Sequence, residues 1–164
     1  MIIFREIDME KIPLFAESIP SEGKKTLYPE PFASLVAGRE KRKLGDFFEL
    51  TNFGINLTSL APGAISALLH HHAKQDEFLY ILEGTPTLVT MDKEYLMNPG
   101  DCFGVKAGSG LACQLVNKSD GLVKYLEIGD RTPGDEVDYP NDDLKAVSLD
   151  NGQWSITHKD GSSY

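Results

Sequence analysis

The sequence predicts an all-β fold, a sandwich or a barrel, on three observations. Short runs of alternating or apolar residues recur between positions 53 and 128, each closed by a turn rich in Gly, Pro, Asn or Asp. Almost no helical periodicity lies between them, so the long crossovers that a parallel α/β sheet needs are not visible. The length of 164 residues and a hydrophobic fraction of 41% suit one soluble domain with a real core.

Residues 1–45 carry Pro13, Pro20, Pro29 and Pro31 and read as an N-terminal arm with at most one short helix or edge strand. Within it, Arg39-Glu40-Lys41-Arg42-Lys43 reads as a solvated basic loop. From Asp46 the character changes. In FGINLTSL (53–60), Phe53, Ile55 and Leu57 alternate with Gly54, Asn56 and Thr58, the period of a half-buried strand. APG (61–63) turns the chain. EFLYILE (77–83) stops at Gly84, TLVTM (87–91) at Asp92-Lys93, and EYLM (94–97) at Asn98-Pro99-Gly100. DCFGV (101–105) precedes Ala107-Gly108, LACQLV (111–116) precedes Asn117, and LVKYLEI (122–128) precedes Gly129-Asp130. Residues 130–164, polar and rich in Asp and Gly, read as a C-terminal tail wrapping the core, with one more strand around Trp154 to Thr157.

The net charge of −9, from 25 acidic and 16 basic residues, disfavours nucleic acid or anionic lipid as a partner, since both would be repelled. No apolar stretch approaches a signal h-region or a membrane span, so a cytoplasmic protein is expected. Two cysteines, Cys102 and Cys113, are too few for a disulfide scaffold.

The chemistry concentrates in HHHAKQDE (70–77). On a strand, His70 and His72 share a face while His71 points away. Glu77 opens the next strand after a short polar connection, where its carboxylate can reach the imidazoles. Two imidazoles and a carboxylate suit zinc, iron, manganese, nickel or copper, and three protein ligands with open positions would describe a catalytic site. Asp76 is the weaker carboxylate by strand alternation. Tyr80 is expected on the outer sheet and Cys102 in the core. Lys106 reads as a loop lysine and His158 as structural or exposed.

The stretch PGAISALLHHHAKQDEFLYILEG (62–84) resembles the first motif of the cupin superfamily, through Pro62, Gly63, His70, His72, Glu77 and Gly84. PGDCFGVKAGSGLACQLVN (99–117) resembles the second, with Pro99, Gly100, Gly108 and Asn117 in place. Lys106 stands where the family has Pro, and Cys113 where it has its fourth ligand, a His. The resemblance covers residues 46–129 and implies an antiparallel jelly-roll barrel there, framed by the arm and the tail. It also implies a metal site on His70, His72, Glu77 and position 113, and a homodimer in which an N-terminal strand is exchanged. The tail is similar to that of a small cupin group with members labelled as sugar-phosphate isomerases.

Three readings of Cys113 stand side by side. Its thiolate completes a metal set with His70, His72 and Glu77. Alternatively it is a bystander, and those three hold the metal alone as in oxygen-activating iron enzymes. In the third it is an ordinary buried residue of a site without metal. A Cys102–Cys113 disulfide is a minor fourth option. The expected function is a metal-dependent enzyme on a small polar metabolite, an isomerase acting on a sugar or sugar phosphate. A non-haem iron dioxygenase and a non-catalytic small-molecule binder are the alternatives.

Overall fold

Alternating side chains and short turns produce a fold made almost entirely of antiparallel strands. The computed structural model describes residues 13–23, 26–149 and 151–164. In chain order the elements are α1 (Phe32–Leu35), β1 (Arg39–Lys43), α2 (Leu44–Phe47), β2 (Phe53–Leu60), β3 (His71–His72), β4 (Glu77–Glu83), β5 (Thr87–Thr90) and β6 (Glu94–Leu96). There follow β7 (Cys102–Val105), β8 (Cys113–Val116), β9 (Val123–Asp130), β10 (Glu136–Asp138), β11 (Lys145–Ser148) and β12 (Trp154–Thr157).

The strands form three open sheets, ordered β1-β2-β9-β4-β7, β12-β11-β10-β3 and β6-β5-β8. The expected closed barrel is therefore corrected: the fold is all-β and cupin-like, but among the described residues no sheet closes on itself. A ring needs an unbroken hydrogen-bonded ladder. Here the chain between Ala61 and Leu69 forms no strand, and β3 has only two residues. Two isolated bridges, Ile65↔Val116 and His70↔Cys113, and a hydrogen bond from the Leu115 N–H to Ser66 Oγ join this stretch to β8 in place of a continuous ladder.

The basic run 39–43, expected as a solvated loop, is the edge strand β1, paired along its whole length with β2. Directly opposed residues share a face. Lys41, Thr58, Tyr125 and Ile81 therefore form one row across the five-stranded sheet. Lys43, Asn56, Glu127, Leu79 and Phe103 form the next. The tail holds β10 and β11 besides the expected strand at Trp154–Thr157, because its apolar residues Val137, Tyr139, Leu144 and Ala146 bury together with Leu68. A second core of Leu60, Ile81, Leu88, Leu115, Val123 and Tyr125 lies beneath the larger sheet.

Cys102 was expected in the core and is exposed instead. It sits on an edge strand opposite Tyr80, whose outward placement carries it to the outer face. Both cysteines are free thiols, with Cys113 buried inside.

Gly84 ends β4 with φ +78°, and a Cβ there would stand 2.5 Å from the Leu122 carbonyl oxygen. Backbone strain and this close approach both exclude a side chain. Gly84→Ala is expected to lower stability by about 2–3 kcal/mol, read as a lower urea midpoint at unchanged slope.

Candidate metal centre

His70 precedes β3 and exchanges backbone hydrogen bonds with Cys113, at 3.0 and 3.4 Å. His72 lies in β3, held to β10 by the pairing Val137↔His72. Glu77 opens β4 on its inner face, opposite Gly129 and Val105. Three separate neighbours thus bring the donors together. One donor atom from each of His70, His72 and Glu77 lies within 4.8 Å of the other two.

The hydrogen bonds decide which atoms face inward. His70 Nδ1 lies 2.7 Å from the Leu68 carbonyl, so it donates its proton there. His72 Nδ1 donates to Asp135 Oδ2 at 2.5 Å. Both rings are thereby fixed with Nε2 directed to Glu77, at 3.7 Å for His70 and 3.3 Å for His72. Metal-ligating histidines are commonly oriented in this way, through the ring nitrogen that does not bind the ion. The donor set and its orientation fit a divalent metal ion, which the cluster is capable of coordinating.

Electrostatics tie the group together. Burial pushes His72 down, but Glu77 and Asp135 overcome it and hold the imidazole up at about 9. Burial pushes Glu77 up, but hydrogen bonds and charge from both imidazoles hold it far below the ordinary carboxylate range. Tyr139 stacks on His70 with centroids 5.7 Å apart, and Trp154 meets His72 edge-on at 6.2 Å. The three groups open into a cavity of about 670 Å³ between the larger sheet and the sheet made by the tail.

Cys113 lines the same cavity, as do its neighbours Gln114 and Leu115, but its sulfur does not belong to the group of mutually close donors. Burial and the Glu77 charge push its thiol up to about 12. His71 turns away, with Nε2 3.6 Å from Asp138. Asp76 turns outward too and accepts the Ala107 N–H at 2.7 Å. Lys106 is exposed, and His158 Nδ1 lies 2.8 Å from Asp143 Oδ2. Asp135 escaped sequence reasoning. It is fully buried and also accepts the Lys74 and Gln75 N–H groups, at 2.7 and 3.3 Å. Nothing local separates it from the chain's other acidic residues, because its role depends on β10 pairing with β3.

An all-β fold holding two histidines of an H-x-H pair against a glutamate defines a class of β proteins with a half-buried transition-metal donor set. The chain belongs to the cupin superfamily. The family model described as cupin domain matches residues 56–129. A crystal structure named as a sugar phosphate isomerase from the cupin superfamily, from Silicibacter pomeroyi, is 37% identical, with a TM-score of 0.87. The alignment covers 93% of this chain and 96% of that one. A protein of Acidithiobacillus ferrooxidans, provisionally named a sugar phosphate isomerase, is 31% identical over 78% of this chain and 82% of that one, with a TM-score of 0.69. The polyketide cyclase RemF of Streptomyces resistomycificus shares the fold at 18% identity and a TM-score of 0.58, over 73% of this chain and 78% of that one. No curated protein matches the sequence.

Proposed function

We propose that His70, His72 and Glu77 hold one divalent transition metal, and that the chain isomerises a small sugar phosphate in the adjoining cavity. The convergence of two Nε2 atoms and a carboxylate, with both Nδ1 protons engaged elsewhere, carries this reading. The likeness to the Silicibacter pomeroyi structure supports the choice of reaction. A divalent ion in such a site supplies Lewis acidity to neighbouring carbonyl and hydroxyl oxygens.

The chain's own groups do the rest. Leu68 O and Asp135 hold the ring tautomers. Leu79, Val137 and Trp154 wall the cavity with apolar surface that excludes water from a bound sugar. Cys113 serves as a wall group rather than a fourth donor, which leaves room beside the three ligands. A homodimer belongs to the same reading, since Phe78, Tyr80 and Leu82 stand exposed on the outer face of β4. Sedimentation at two concentrations tests it.

Protein purified without a histidine tag is expected to carry about one equivalent of metal, lost in His72→Ala and kept in Cys113→Ala. Interconversion of aldose and ketose phosphates should stop on chelation and return with metal. Failure to bind any supplied metal would falsify the reading. Full metal occupancy without turnover on a panel of pentose and hexose phosphates would reduce it to a binding protein.

A further inference from the structure

The cavity has a second polar end, on β1. Strand alternation puts Arg39, Lys41 and Lys43 on the inner face, and all three line the cavity that holds His70, His72 and Glu77. In a protein of net charge −9, three cations at alternate positions of one strand require a reason. Two of them are compensated. Lys41 pairs with Glu127 at 2.6 Å, and Lys43 with Glu22 at 3.0 Å and Asp46 at 3.9 Å.

Arg39 differs. Among the described residues no carboxylate lies within ion-pair distance of its guanidinium, which donates from Nη1 to the Ser66 carbonyl oxygen. A half-buried guanidinium with one neutral acceptor retains donors for a further oxyanion, and its planar fork matches a phosphate or carboxylate in bidentate fashion. Tyr139 connects the two ends of the cavity. Its ring stacks on His70 and lines the same cavity as Arg39.

We infer that Arg39 anchors the anionic substituent of the ligand, and that this substituent is a phosphate. The inference rests on the function proposed above and gives the ligand a direction: hydroxyl and carbonyl oxygens toward His70, His72 and Glu77, the phosphate toward β1. With Lys41 and Lys43 already paired, the choice of phosphate over a carboxylate comes from that proposed function, and gluconate separates the two.

Inorganic phosphate and gluconate, titrated calorimetrically into metal-stripped protein, provide the test, because stripping removes any anion bound to the metal. Phosphate is expected to bind wild type and Arg42→Gln, whose side chain lies on the opposite face against Glu40 at 2.6 Å. Arg39→Gln should bind at least tenfold more weakly while keeping wild-type metal stoichiometry on reloading. Arg39→Lys keeps the charge but loses the fork, and should weaken phosphate about fivefold even if Arg39→Gln does not fold. Wild-type affinity in either Arg39 variant, no phosphate binding in wild type, or equal affinity for gluconate overturns the assignment. None of these readings depends on turnover, so failure of the isomerase reading is scored separately.

Discussion

Asp135→Asn is expected to lose about 10–100-fold in metal affinity while the protein stays folded. The substitution preserves size and removes one acceptor. With the amide oxygen kept on the Lys74 and Gln75 N–H groups, its NH₂ faces His72 Nδ1. The ring must then accept at Nδ1, which moves its proton to Nε2, the atom directed at Glu77. A protonated Nε2 cannot ligate. Asp135→Ala adds a different loss, because two backbone donors are left without their acceptor at about 1–3 kcal/mol each. Metal titration together with thermal melts of the metal-free proteins separates the two effects. Wild-type affinity in Asp135→Asn would remove the orienting role argued for this carboxylate.

Lys41→Met should cost about 2–3 kcal/mol at pH 7, somewhat less than the ~3–5 kcal/mol of a fully buried broken pair. Glu127 is about three-quarters buried and accepts from Lys41 at 2.6 Å and from Asn56 at 3.3 Å. Burial pushes its carboxyl up, but the Lys41 charge and hydrogen bond prevail and hold it below the ordinary value. The sign follows from that depression. The stability contributed by the pair is present above the unfolded carboxyl's pKa of about 4.3, and is lost as pH falls through the lower folded value. In Lys41→Met the stranded carboxylate can take up a proton, so the deficit against wild type shrinks as pH drops below about 5. Denaturant midpoints from pH 4 to 8 measure this. A deficit independent of pH would mean that lost packing of the lysine stem, not charge, sets the cost.

Local patterns made the strands of the centre legible. The runs at 53–60, 77–83 and 122–128 appear as β2, β4 and β9 within two residues at either end, because two-residue alternation and a following turn are encoded next to each other. The H-x-H pair and Glu77 were legible for the same reason: alternate residues on an extended chain share a face whatever lies around them. The run 39–43 misled because charge outweighed pattern. Its alternate members Arg39, Lys41 and Lys43 face the cavity, so strand periodicity there is written in cations rather than apolar residues. The pairing of the tail was hidden too, since β10 and β11 are short and their partners lie far off in sequence.

By itself, then, the sequence determined the β character, the succession of the central strands and the identity of the three converging donors. Tertiary structure alone decided that the sheets stay open, that the tail supplies a wall of the cavity and that Asp135 stands behind His72. The physical reason is range. Backbone alternation and turns act between neighbours along the chain, whereas ladder closure, burial and the partner of a buried carboxylate depend on segments about 60 residues apart meeting in space.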